Sequence, residues 1–190
     1  AKSVGKSVDD ARGDYNNLMQ AQDLVMKNAD NAYKTAGMSA NQYMEVATSS
    51  AAAMVTSVGG DTVKAAKLTD QAVTDMADNA NKMGSNITDI QNAYGGFAKG
   101  NFTMLDNLKI GYGGTQEEMK RLLADAEKLP GAMGRKFDIS NYADVTEAIH
   151  LVQTEMGITG TTAKEAAQTI SGSIDSTKAA LANLLAGLGK

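Results

Sequence analysis

The chain has no cysteine and no tryptophan, and it has a single histidine and a single proline. Without cysteine there is no disulfide scaffold and no thiolate metal site. That suits a reducing compartment, although exported proteins without cysteine are common. Aromatic residues make up only 5% of the chain, so the large rings that dominate many cores are scarce. No segment approaches the ~18 unbroken apolar residues of a membrane span, and no signal-peptide pattern is visible. Lysine and arginine are scattered without a basic run, and the net charge is −4 with a pI of about 5.0. This balance argues against tight binding to a nucleic-acid backbone, which needs clustered cations. With Pro130 alone, helix can run almost anywhere and glycine supplies the punctuation.

What is present is helix-forming sequence. A chain of 190 residues is the size of one domain, or of one domain with an arm, and is long enough to bury a core. Apolar residues reach 43%, but much of that is alanine. At roughly 25 cal/mol per Å² of buried apolar surface, an alanine core stabilises far less than a leucine core. The expectation is a modestly stable domain of slender, closely packed helices. The chain opens on Ala1 rather than Met, which reads as a piece of a longer protein or as a processed chain.

From Val8 to Tyr33, apolar residues fall at Val8, Ala11, Tyr15, Leu18, Val25 and Ala29, a near-heptad helical spacing. Polar residues interrupt it, so residues 1–36 read as an amphipathic helical lead-in that needs docking, ended by Gly37. Residues 37–190 read as the helical domain proper. Ser39-x-x-Gln42 is a capping box, and the helix it opens carries Tyr43, Ala47, Ala51, Met54, Val55 and Val58 on its buried face. After Gly59-Gly60, Asp61 or Thr62 caps a third helix with the stripe Val63, Ala66, Val73, Met76, Ala77, Ala80 and Met83, closed by Gly84. A shorter helix carries Ile87, Ile90, Tyr94 and Phe97. Leu108 and Ile110 alternate with polar neighbours, as do Phe137 and Ile139. These pairs are candidates for a tiny two-stranded β ribbon near 108–110 and 137–139.

Thr115-x-x-Glu118 is a second capping box, opening a helix with Met119, Leu122, Leu123, Ala126 and Leu129 on one face and Pro130-Gly131 at its end. Asn141 or Ser140 caps the helix with the cleanest apolar stripe, Val145, Ala148, Ile149, Val152 and Met156. Thr162-x-x-Glu165 reads as a third box, its helix running to about Ile170. Ser171-Gly172-Ser173 then leads to a last helix with Leu181, Leu184, Leu185 and Leu188. The fold class this predicts is all-α, a compact bundle of about six to eight helices joined by short glycine turns.

Chemistry-bearing motifs are sparse, and no catalytic, cofactor-binding or metal-binding residue is assigned. Gly5-Lys6-Ser7 resembles the end of a phosphate-binding loop but lacks the upstream glycine and the preceding strand. His150 points off the main face of its helix, near Glu147 and Glu155, and reads as a solvated or boundary histidine. Glu117-Glu118 sits in a first helical turn, where the dipole favours anions. Gly111-Tyr112-Gly113-Gly114 reads as a sharp turn before a capped helix. The 11 methionines mostly fit core filling, with Met19, Met26 and Met133 open as an adaptable surface.

Three long blocks carry a family resemblance: TDQAVTDMADNANKMGSNITDI (69–90), QNAYGGFAKGNFTMLDNLKIGYGGTQEEMKRLLA (91–124), and AIHLVQTEMGITGTTAKEAAQTI (148–170) with SGSIDSTKAALANLLAGL after it. Together they resemble the tape measure domain of tail tape measure proteins of long-tailed bacteriophages and prophages, over about residues 36–188. The resemblance implies a structural, non-enzymatic protein that sets tail length during assembly. It implies partners in the tail tube protein and tail assembly chaperones, residence in the tube lumen of the virion after assembly in the host cytoplasm, and release on DNA ejection. It supplies no catalytic residues. Two other classes are kept beside it. One is a helical binding module docking a host envelope protein or a tail chaperone. The other is a membrane-active helical segment, which no helix here supports with joined apolar and basic faces.

Overall fold

The computed structural model describes residues 8–188. These form seven α-helices: α1 (Val8–Thr35), α2 (Ala40–Ser57), α3 (Thr62–Met83), α4 (Ile87–Phe97), α5 (Gln116–Ala126), α6 (Tyr142–Glu155) and α7 (Thr161–Leu188). Two short 3-10 turns, Leu105–Leu108 and Pro130–Ala132, interrupt the connections. The all-α bundle is thus present. Among the described residues there is no strand, and the expected ribbon does not form. Leu108 ends a 3-10 turn, Lys109 turns left-handed at φ 54°, and the Phe137 amide donates to Glu127 Oε1 at 3.1 Å. Leu108, Ile110 and Phe137 are instead loop side chains driven into the core; their alternation marks burial, not a ladder.

The caps show why the helices start where they do. Ser39 and Gln42 close the capping box in both directions. The Lys64 amide donates to Asp61 Oδ1 at 2.9 Å and the Asp144 amide to Asn141 Oδ1 at 3.2 Å, each satisfying an otherwise free first-turn donor. Gly84 ends α3 left-handed at φ 61°. At Thr115 half of the box is made. The hydroxyl accepts from the Glu118 amide at 3.2 Å, but the Glu118 carboxylate accepts from the Gly113 amide instead, at 3.1 Å.

α7 differs from expectation. Ser171-Gly172-Ser173 does not break it, and one helix continues to Leu188. A glycine inside a helix costs only about 1 kcal/mol relative to alanine, too little to end it unaided. The side chains of Leu181, Leu184, Leu185 and Leu188, like those of Val8 and Ala11, lie outside the described residues.

The core has two unlike parts. The larger joins α3, α4, α5 and α6 with the loop between α4 and α5, through Ile90, Phe97, Leu105, Met119, Leu122 and Ile149 among others. Tyr94, Phe97 and Phe102 pack in series, the first pair tilted and the second stacked, with centroids 5.6 and 5.9 Å apart. The smaller lies between α1, α2 and α3 and is mostly alanine: Ala29, Ala32, Ala36, Ala47 and Ala77 around Met38, Tyr43 and Val73. The expected slender packing therefore holds for this seam, while the larger core is filled by bulky side chains. On α1, Ala29 is buried as expected, but Tyr15 and Leu18 are 60% and 57% exposed. The buried stripe there runs through Ala21, Ala29 and Ala32.

Candidate functional site

α3 packs against α1, α2, α4, α6 and α7. A helix enclosed on so many sides must bury residues all round, and α3 buries Asp75, Asp78 and Asn79 beside its apolar stripe. Burying such groups is costly unless each finds a partner. Their partners define the chemically most distinctive place in the molecule.

Asp75, 1% exposed, receives His150 from α6: Nδ1 lies 2.8 and 3.0 Å from the two carboxylate oxygens. His150 is 27% exposed, so it is a boundary residue with a buried counter-charge. The Asp75 hydrogen bond holds its pKa above the usual histidine value against the opposing effect of burial, with Glu147 and Asp78 adding to the field. Burial pushes Asp75 up, and His150 partly offsets that.

Asp78, fully buried, reaches the start of α7. Its Oδ2 accepts the Gly160 amide at 2.6 Å and its Oδ1 the Thr162 amide at 2.8 Å. The predicted Thr162-x-x-Glu165 box is therefore not what starts α7. Thr162 sits inside the first turn, its own hydroxyl buried without a partner, and the cap comes from another helix. Asn79 Nδ2 donates to the Leu108 carbonyl at 3.0 Å, tying α3 to the loop after α4.

Near Asp75, Tyr94 is driven well above the usual tyrosine value by burial, with the Asp75 charge adding. Gln153 lies beside it and acts in the opposite direction. Burial pushes Tyr142 up to about 12, opposed by Ser50. The hydroxyls of Tyr94 and Tyr142 and the carboxamide of Gln153 are buried without hydrogen-bond partners. The Asp75–His150 pair orients an imidazole; the triad type of nucleophilic catalysis also needs a hydroxyl or thiol on that ring. Among the described residues no hydroxyl is hydrogen-bonded to His150. Nor does any group of three or more His, Cys, Asp or Glu there converge as for a metal ion.

Two grooves mark the surface. One, of about 1050 Å³, lies between α2, the end of α3, α4 and the start of α7; its walls include Gln42, Asn81, Gln91, Asn92, Thr162 and Glu165. Several carboxamides line it beside apolar residues such as Met38, Val46 and Ile87, and Gly95 and Gly96 form part of its lining. The other, of about 300 Å³, is apolar and runs between α1, α2 and α3, with Leu18, Val25, Met26, Met44 and Val55 among its lining.

The residues that the sequence marks as candidates land apart from one another. Glu118 in the first turn of α5 pairs with Arg121, which with the Gly113 amide holds its carboxyl below the usual range. Gly111–Gly114 is a turn, as read: Arg121 Nη2 donates to the Gly111 carbonyl at 2.8 Å, its guanidinium lies 4.3 Å from the Tyr112 ring centroid, and the Tyr112 hydroxyl donates to Asp125 at 3.0 Å. Met19, Met26 and Met133 are all exposed, Met133 by 89%. Gly5-Lys6-Ser7 lies outside the described residues. Asp75 and Asp78 do not stand out in the sequence. The signal there is their spacing of three inside an otherwise apolar stripe (Val73, Met76, Ala77, Ala80), which puts two charges on one side of a helix that must be buried.

No helix among the described residues is long and apolar enough to cross a membrane. Against known proteins, the chain matches no family model, no curated protein and no solved structure.

Proposed function

We propose that this chain is a segment of a phage tail tape measure protein, a structural element that helps set tail length and is released on DNA ejection. The observation that carries the reading is the resemblance of the three long blocks, 69–90, 91–124 and 148–170. These blocks run from within α3 to the first turn of α4, from there to near the end of α5, and from the middle of α6 into α7. An all-helical scaffold, joined by short turns except for the two longer links on either side of α5, suits such a role. Its expected partners are the tail tube protein and tail assembly chaperones.

A ruler works through axial length, and a straight helix advances 1.5 Å per residue. A folded bundle advances far less. In this reading the domain opens on packing into the lumen, beginning at the weakly held alanine seam, or sits at a tail end with room for it. The experiment is an in-frame duplication of residues 37–190 in the reading frame that encodes them, with tail length measured by electron microscopy. Opened into helix, the added segment lengthens the tail by about 230 Å; kept folded, by much less. Assembled tails of unchanged length sink the proposal.

The carboxamide-lined groove favours a second reading, a helical module that docks a tail chaperone or a host envelope protein. Pull-down of purified tube, chaperone and envelope proteins separates these partners.

A further inference from the structure

α7 has 28 residues, about 42 Å of helix, yet it is held at one end. It packs against α1 and α3. Beyond Ala166 every side chain described on it is exposed. A helix starts with free amide donors that a neighbouring Ser, Thr, Asp or Asn usually satisfies. Here the donors of Gly160 and Thr162 go to Asp78, 82 and 84 residues earlier. The Thr161 hydroxyl bonds back to the Ile158 carbonyl at 2.9 Å. Asp78 therefore both starts the helix and ties it to α3, beside the packing of α7 on α1. The link before it contains two left-handed glycines, Gly157 at φ 66° and Gly160 at φ 83°, a conformation that side-chain-bearing residues rarely adopt. Thr162 and Glu165, in the first turns of α7, form part of the wall of the large groove.

We propose that α7 is a movable wall of that groove, latched by Asp78 and hinged at Gly157–Gly160. With the latch closed, the groove is bounded by α2, the end of α3, α4 and α7. With it open, α7 swings away and the groove widens, while the bulky core of α3 to α6 stays intact because none of its main side chains belongs to α7. The device rests on the fold and is independent of the tape measure reading.

Asp78→Asn keeps the shape and one acceptor but removes the charge. Hydrogen exchange at residues 163–166 is compared with that at 145–152, in the wild type and the variant. In the wild type at low denaturant, the α7 amides open in a separate, lower-energy event than those of α6. In Asp78→Asn their protection falls by about 10- to 100-fold, the range for a hydrogen bond to a charged group, while α6 is unchanged. Because the chain has no cysteine, spin labels at Lys67→Cys and Thr169→Cys, both exposed positions, report the α3–α7 distance. It broadens to longer values in Asp78→Asn. Joint loss of protection in α6 and α7 overturns the latch, as does unchanged exchange and distance in the variant. If the variant fails to fold, the wild-type exchange decides alone: one shared opening event for both helices overturns the proposal.

Discussion

Replacing His150 by glutamine leaves a hydrogen-bonding group beside Asp75 but removes the titrating proton. Two unit charges 2.8 Å apart attract by about 6 kcal/mol at an effective dielectric of 20. Desolvation of the buried carboxylate offsets several kcal/mol of that. The net contribution left is about 1.5–3 kcal/mol, that of a hydrogen bond to a charged group. Its sign with pH follows from the shifts. His150 is held above its ordinary 6.5, so its contribution is complete below that value and is lost as pH rises through the folded pKa. Asp75, pushed above its ordinary 3.8 by burial, works in the same direction: both groups bind protons more tightly folded than unfolded. Stability therefore falls on going from about pH 5.5 to about pH 9. His150 is the single histidine, so no other imidazole titrates there. Urea unfolding followed by circular dichroism measures this. The wild type loses about 1.5–3 kcal/mol across the window, and His150→Gln, which keeps only the part that Asp75 contributes, gives a shallower curve. Parallel curves for the two proteins refute the pairing argument.

Other expectations are simpler. A Cβ at Gly114 would lie 2.2 Å from the Thr103 carbonyl oxygen, so Gly114→Ala destabilises by about 3 kcal/mol, the upper range for overpacking. Gly95→Ala, in helix with nothing within 4 Å of the added carbon, stabilises by about 0.5–1 kcal/mol; denaturant melts of both variants check the contrast. Leu122→Ala, at a fully buried position, costs about 2–5 kcal/mol. Met26→Ala, 52% exposed, changes stability by less than about 0.5 kcal/mol. The domain melts at about 45–65 °C by calorimetry, and a midpoint above ~90 °C contradicts the weak alanine seam.

Helix periodicity and the chemistry of Ser39, Asp61, Gly84 and Asn141 carried most of the architecture in local sequence, because caps act within one turn. What local pattern could not carry was partnership at a distance. Period-2 alternation at 108–110 and 137–139 was a product of which loop side chains reach the core. Gly172 looked like a stop, yet no partner for a stop, such as a left-handed cap, accompanies it. Thr162 looked like a cap, but α7 already begins before it, where Asp78 takes the Gly160 and Thr162 amides. His150 read correctly as a boundary residue from its own helix; its partner, Asp75, sits 75 residues away and was invisible to any window. Asp75, Asp78 and Asn79 are the places where sequence reasoning is least informative, since a polar residue on a helix usually signals water, and here it signals a neighbouring helix.

The encirclement of α3 has a consequence for how the chain is made. At a synthesis rate of about 5–20 residues per second, the residues that complete Asp75 and Asp78 leave the ribosome about 4–16 seconds after the aspartates themselves. Until then α3 carries charges with nowhere to go, and the nascent N-terminal half cannot finish closing around it. The growing polypeptide thus spends those seconds as an open, alanine-rich surface within reach of any factor that binds unfinished helices, and only the arrival of α6 and α7 ends that exposure.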